Sequence, residues 1–98
     1  MAEIHLFEHE EFRGRRLTLT GDDTDIHNNN PSLGDKVSSV RVTSGTFTLF
    51  EDKNFGGYSF TVARTGGPSN NGDYPHWRFL ADRNDKISSV RKNSDEPA

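Results

Sequence analysis

Hydrophobic and polar residues alternate in short runs along most of the chain, which is the pattern of β-strands that bury one face. The clearest runs are Ile4 to Leu6, Leu17 to Leu19, Val40 to Val42, Phe47 to Leu49 and Tyr58 to Val62. Nine glycines, most of them between these runs, predict turns. Strands with one polar face are typical of antiparallel sheets packed face to face, so the pattern predicts an all-β sandwich.

Two segments of the chain occur twice, in the same order. The first reads F-E-x-x-x-F-x-G, at 7–14 and again at 50–57. The second reads D-K-V-S-S-V-R at 35–41 and D-K-I-S-S-V-R at 85–91. A twofold repeat of this kind predicts two similar units, at about 2–43 and about 45–92, that share one core.

The second unit holds about seven extra residues, which fall between 66 and 84. Residues 66–72 are rich in Gly, Asn and Ser and predict a loop. Asp73 before Tyr74-Pro75 predicts the start of a short helix near 75–80. Trp77 would then cover one end of the core or, as the alternative, line a binding surface. We expect a single domain over 1–93 and a disordered tail at 94–98.

The composition is lean for a globular fold. Only 30% of the 98 residues are apolar and the mean hydropathy is −0.87. There are no cysteines, which excludes disulfides and thiolate metal sites. Small domains with a modest core often gain stability from a metal, and a hard cation is the metal that remains.

The charge pattern excludes several partners. The net charge is −3, from 12 basic and 15 acidic residues, and no basic stripe suggests nucleic-acid binding. No apolar run approaches the roughly 18 residues of a membrane span. No signal peptide is visible, so we expect a cytoplasmic protein or a domain excised from a larger one. The lean apolar content favours a monomer.

Side chains that could perform catalysis do not form a recognisable set. The four histidines, at 5, 9, 27 and 76, lack the spacing of a zinc site, and His9 and His27 are expected in exposed loops. There is no G-x-S-x-G or comparable nucleophile motif, so the chain is predicted not to be an enzyme.

The repeated segments resemble the two signatures of the βγ-crystallin family, in its calcium-binding form from microbes and some invertebrates. One signature is the aromatic hairpin at 7–14 and 50–57. The other is the calcium motif N/D-N/D-x-x-S/T-S, which here reads G-D-K-V-S-S at 34–39 and N-D-K-I-S-S at 84–89. The resemblance covers roughly 3–92. It implies a sandwich of two Greek key motifs, with about eight strands in two antiparallel sheets.

The same resemblance implies two Ca²⁺ sites at one end of the sandwich, each built from both motifs. The implied ligands are side-chain oxygens of Asp35 and Asp85, backbone carbonyls of Lys36 and Lys86, hydroxyls of Ser38 and Ser88, and a carbonyl or carboxylate oxygen of Glu8 and Glu51. Ca²⁺ accepts such mixed oxygen donors, and one or two carboxylates per site predict a dissociation constant on the order of 10⁻⁶ to 10⁻⁴ M. Ser39 and Ser89 are expected to brace the folded hairpins.

One position departs from the family pattern. Gly34 stands where the family has Asn or Asp. If that residue only braces the turn, the site survives with a looser loop. If it helps to coordinate, the site that contains Asp35 and Lys36 is weakened. We expect both sites to bind, with room for unequal strength.

Several functions stay open at this point. The first is a calcium-binding module in which the metal stabilises the fold. The second is an adhesion or inhibitor module that binds a protein or a glycan, with structural calcium. The third is a structural crystallin that does not need calcium, in which the D-K-x-S-S segment is only a turn leading into a strand.

Overall fold

Short strands joined by tight turns make up nearly all of the regular structure. The computed structural model describes residues 2–28, 36–76 and 87–94. These residues hold seven strands: β1 (Glu3–His9), β2 (Arg13–Leu19), β3 (Ser39–Ser44), β4 (Thr46–Asp52), β5 (Gly56–Ala63), β6 (Asp73–Tyr74) and β7 (Ser89–Ser94). Two single 3₁₀ turns lie at Ile26–Asn28 and Lys53–Phe55.

The strands form two antiparallel sheets whose order reveals an exchange between the halves of the chain. One sheet has the order β2-β1-β3-β6 and the other has the order β5-β4-β7. The first sheet therefore takes β6 from the second half. Asp23, from the first half, pairs with Val90 of β7 through hydrogen bonds of 2.8 and 2.9 Å. Each half thus gives its third extended segment, β6 or the bridge at Asp23, to the sheet of the other half. The two antiparallel sheets are those predicted for two Greek key motifs.

The strand register explains why alternation in the sequence builds one core. Ile4 lies opposite Leu19 and Leu6 opposite Leu17, so their side chains share the inner face of the first sheet. In the second sheet Phe47 lies opposite Val62. The largest fully buried side chains come from both sheets, from the turn at 26 and from the segments just before β3 and β7: Phe47, Ile4, Leu6, Ile26, Leu49, Ile87, Val37, Val40, Val42 and Val62.

The small apolar content is placed almost entirely inside. Among the described residues, Tyr58 is the only large hydrophobic side chain that is exposed, at 47%. Each fully buried aliphatic or aromatic side chain contributes roughly 1.5–3 kcal/mol. The chain therefore builds a continuous core from few residues.

The second unit differs in one place from the sequence prediction. Asp73 and Tyr74, which were expected to begin a short helix, form β6 opposite Arg41 and Val40. Residues 77–80 of the predicted helix, including Trp77, lie outside the described residues. Ser94 ends β7, and the rest of the predicted tail is also outside them. None of the helices in the described part of the chain has the length and hydrophobicity to span a bilayer.

Candidate metal centre

Each motif begins with a hairpin whose tip is folded over in an unusual backbone conformation. In the first hairpin Glu11 and Phe12 have φ of 60° and 58°, and in the second Asn54 and Phe55 have φ of 57° and 61°. A left-handed conformation costs a residue other than glycine roughly 1–2 kcal/mol. Other contacts must therefore hold these tips in place.

A buried serine makes those contacts in each motif. The Ser39 hydroxyl donates to the His9 carbonyl at 2.6 Å and accepts from the Phe12 amide at 3.1 Å. Ser89 forms the same pair, to the Asp52 carbonyl at 2.6 Å and from the Phe55 amide at 3.0 Å. Both serines are fully buried. We call each of these pairs of bonds a serine bridge; they are the bracing that the resemblance predicted.

The serine before each bridge lies at the end of the first strand of its own motif. The Ser38 amide donates to the Phe7 carbonyl at 2.9 Å, and the Ser88 amide donates to the Phe50 carbonyl at 2.9 Å. The next residue along each strand is Glu8 or Glu51. At both glutamates the pairing with the following strand shifts register, between Phe7 and His9 and between Phe50 and Asp52.

Three of the predicted ligands meet in the first motif. A cleft of about 220 Å³ is lined by Glu8, His9, Lys36 and Ser38. We call it the Glu8 cleft. Among the lining residues, Glu8 has a carboxylate, Ser38 has a hydroxyl and each has a backbone carbonyl, and these are kinds of donor that Ca²⁺ takes. A water molecule occupies about 30 Å³ in the liquid, so the cleft can hold an ion with several waters.

The second motif brings Ser88 beside the end of the strand that carries Glu51. The Ser88 hydroxyl lies 3.2 Å from Nε2 of His27, and its carbonyl accepts from the Ile26 amide at 2.9 Å. His27 is therefore half-buried against Ser88, and the prediction of an exposed loop histidine was wrong for it. His9 is exposed as expected, but it is the last residue of β1 and does not lie in a loop. Asp35, Asp85 and Lys86 of the predicted ligand set lie outside the described residues.

The Glu8 carboxylate has a cationic partner that the sequence patterns did not indicate. Nη2 of Arg15 lies 2.5 Å from Oε2 of Glu8, and Nε of Arg15 lies 3.2 Å from the same oxygen. These hydrogen bonds hold the pKa of Glu8 below its usual value and raise the pKa of Arg15. Nε2 of His9 is a weaker neighbour, 3.6 Å from Oε1. The carboxylate is thus ionised and already paired with a guanidinium.

The donors fit a hard divalent cation better than a transition metal. Across the described ranges 2–28, 36–76 and 87–94, no three His, Asp or Glu side chains converge on a common point. A site of hydroxyl, carbonyl and a single carboxylate does not need such a cluster, provided that water completes the coordination of the ion.

Two exchanged Greek keys, folded hairpins with serine bridges and a cleft between hairpin and loop define a crystallin-type domain. The sequence model of the Beta/Gamma crystallin family matches residues 3–92. The chain therefore belongs to the βγ-crystallin family.

Relatives of known structure or name share this domain over most of its length. A beta/gamma-crystallin of Ciona intestinalis is 35% identical over 92 residues, covering 94% of this chain and 99% of the relative. The solved structure of a Ciona beta gamma crystallin superposes with a TM-score of 0.78 at 34% identity, over 93% and 99% of the two chains. A betagamma-crystallin from an archaeon also has a TM-score of 0.78, with 30% identity over 94% and 98%.

Vertebrate relatives are longer than this chain. Gamma-crystallin S of Bos taurus is 32% identical over 90 residues, which are 92% of this chain but 44% of the relative. The chain thus spans about half the length of such relatives.

Proposed function

We propose that the chain is a calcium-binding βγ-crystallin domain with two Ca²⁺ sites, in which metal binding stabilises the fold. The observation that carries this proposal is the meeting of Glu8, Lys36 and Ser38 around one cleft. The equivalent position of Ser88 beside the strand of Glu51 supports a second site.

The residues around each site would hold the ion with oxygen atoms. In the first motif these are the Ser38 hydroxyl, the Lys36 carbonyl and an oxygen of Glu8. In the second motif the equivalent ligands would be oxygen atoms of Ser88, Lys86 and Glu51. The family resemblance adds the side-chain oxygens of Asp35 and Asp85 as further ligands. Bound Ca²⁺ supplies the positive charge that gathers these oxygens. Mg²⁺ would compete poorly because it demands octahedral geometry and loses water reluctantly.

The position of the ligands connects metal binding to stability. Ser38 and Ser88 immediately precede the serines of the two serine bridges. Ordering a ligand serine therefore also orders the strand that holds a folded hairpin. Calcium at 100 times its dissociation constant would raise the free energy of unfolding by about 2.7 kcal/mol per site. That is a large share of a domain stability of about 5–15 kcal/mol.

Calorimetric titration of the calcium-free protein tests the proposal. We expect two binding events, one weakened by Asp35→Ala and the other by Asp85→Ala. Glu3→Gln, which removes a carboxylate at the far end of β1, is the control and should leave both events unchanged. Saturating calcium should raise the melting temperature by roughly 10–20 °C per site relative to chelator. Absence of heat, or equal melting temperatures with calcium and with chelator, would contradict the proposal.

A calcium-independent structural crystallin is the second candidate, and the Arg15–Glu8 pair favours it. An internal guanidinium already supplies the positive charge that a metal would bring to Glu8. This candidate predicts high stability in chelator and no response to either aspartate substitution. The alternative of a protein- or glycan-binding module depends on Trp77, outside the described residues. It would be supported if Trp77→Ala abolished capture on a glycan array without changing calcium affinity.

A further inference from the structure

The two motifs differ in charge at one equivalent position next to their proposed metal sites. The first hairpin segment returns after 43 residues, so Glu8 corresponds to Glu51 and Arg15 corresponds to Tyr58. The correspondence also holds in the backbone. Arg15 follows Gly14 with φ of 82°, and Tyr58 follows Gly57 with φ of 74°.

This difference changes the electrostatics of the two sites in one direction. Arg15 places a guanidinium on the Glu8 carboxylate, whereas the equivalent residue of the second motif is a tyrosine and supplies no guanidinium. The residue after each glutamate differs too, because His9 lines the first cleft and Asp52 follows Glu51. At these two positions the first motif therefore has one more cation and one fewer carboxylate than the second.

We propose that Arg15 acts as an internal competitor of calcium, and that it makes the Glu8 cleft the weaker of the two sites. This inference rests on the proposed calcium binding. A divalent ion that uses the Glu8 carboxylate must displace the guanidinium. An ion that uses only the Glu8 carbonyl must bind beside a positive charge. Both cases lower affinity, because the charge around a calcium site tunes its dissociation constant.

Arg15→Gln tests this assignment by removing the charge while keeping a long polar side chain. In calorimetric titration, the weaker binding event should tighten by about threefold to tenfold, the range for a partly exposed and salt-screened charge. The gain should shrink as the salt concentration rises. A melt in chelator close to that of the wild type shows that the variant is folded.

Two further variants provide a matched control and the reverse experiment in the second motif. Arg16→Gln, the control, makes the same charge change one residue later. Arg16 lies opposite Phe7 in the hairpin, and the acidic group that it influences is Glu3. The control should change calcium affinity by less than about twofold. Tyr58→Arg gives the second motif the arginine of the first, and should weaken the tighter event while leaving the weaker one unchanged.

A double-substitution cycle shows how Arg15 acts. If the arginine competes for the Glu8 carboxylate, Arg15→Gln should improve affinity much less in a Glu8→Gln background than in the wild type. An equal gain in both backgrounds would indicate that the positive charge repels the ion directly.

The outcomes separate this inference from the proposed function. If the wild type binds calcium and Arg15→Gln changes neither event beyond the Arg16→Gln control, the inference is overturned while the calcium function stands. If the wild type binds no calcium but Arg15→Gln does, Arg15 competes with calcium as inferred, but the proposed function and the order of affinity of the two sites are overturned. If neither protein binds calcium, Arg15 is not what limits binding, and both are overturned.

Discussion

Replacing Ser39 by alanine removes a single buried hydroxyl that makes two hydrogen bonds. The bonds join the first residue of β3 to the first hairpin, at the His9 carbonyl and the Phe12 amide. Alanine keeps the Cβ and creates almost no cavity. Any loss of stability therefore reports on the serine bridge itself.

The expected cost follows from the groups that lose their partner. A buried donor or acceptor left without a hydrogen bond costs about 1–3 kcal/mol. Two groups are affected, but both belong to a partly buried hairpin tip where water can replace part of the loss. We therefore expect Ser39→Ala to cost about 2–4 kcal/mol. The left-handed backbone of Glu11 and Phe12 raises this cost further, because the serine bridge holds that unfavourable conformation in place.

Urea unfolding in chelator measures this cost without any contribution from metal. The urea concentration at the unfolding midpoint should fall, while the slope of the unfolding free energy against urea concentration stays constant. Ser89→Ala removes the matching bridge and should cost the same within about 1 kcal/mol. Ser59→Ala, at an exposed position of β5, should stay within about 0.5 kcal/mol of the wild type. If Ser39→Ala costs no more than Ser59→Ala, the serine bridges do not hold the hairpins and the reasoning is refuted.

Three further predictions concern the core and the turns. Tyr74→Phe removes the bond from the Ala63 amide and should cost about 0.5–1.5 kcal/mol. Burial raises the pKa of Tyr74, so the unfolded chain ionises first and wild-type stability should fall as the pH rises above about 10; alkaline urea melts should show a smaller fall in Tyr74→Phe. Gly45→Ala should lower the free energy of unfolding in urea melts by more than about 1 kcal/mol, because φ is 82° and a Cβ would meet the Ser94 carbonyl and Ala2, whereas Gly21→Ala has open space and should be near neutral. Phe47→Ala empties the largest fully buried position and should cost about 3–5 kcal/mol; a loss below 1 kcal/mol in thermal melts would contradict its place in the core.

The sequence predicted the parts of the fold that have local patterns. Alternation over 4–6 and 47–49 marks strands whose inner faces are fixed by a period of two, and the structure buries those positions. The duplicated serines predicted the serine bridges through the family resemblance. Both predictions depend on residues close together in the chain or on an internal repeat.

The parts that the sequence did not predict depend on contacts between distant residues. Asp73 before Tyr74-Pro75 has the local pattern of a helix start, but pairing with β3 places these residues in a strand. The Asp23 bridge is too short to produce any alternation. His27 is half-buried because the turn at Ile26 packs into the core.

The Arg15–Glu8 pair also had no local pattern in the sequence. It depends on the register of the first hairpin at the shift after Phe7, which no residue pattern predicts. The comparison of equivalent positions in the two motifs could have pointed to it, since arginine in one motif stands for tyrosine in the other.

The exchange of third strands has a consequence for how the protein folds during synthesis. When the first motif leaves the ribosome, β3 has an unpaired edge until β6 is made about 30 residues later, and Asp23 must wait still longer for Val90. Closing such distant pairs is slow, because the entropy of the intervening loops is lost before the contacts form. An isolated half would keep an open sheet edge and a third strand with no sheet to join. Two copies of one half could complete each other's sheets by exchanging those strands, as in a domain-swapped dimer. Fragments cut at Gly45 should therefore associate, either with each other or in pairs of like halves, and neither should fold as a monomer.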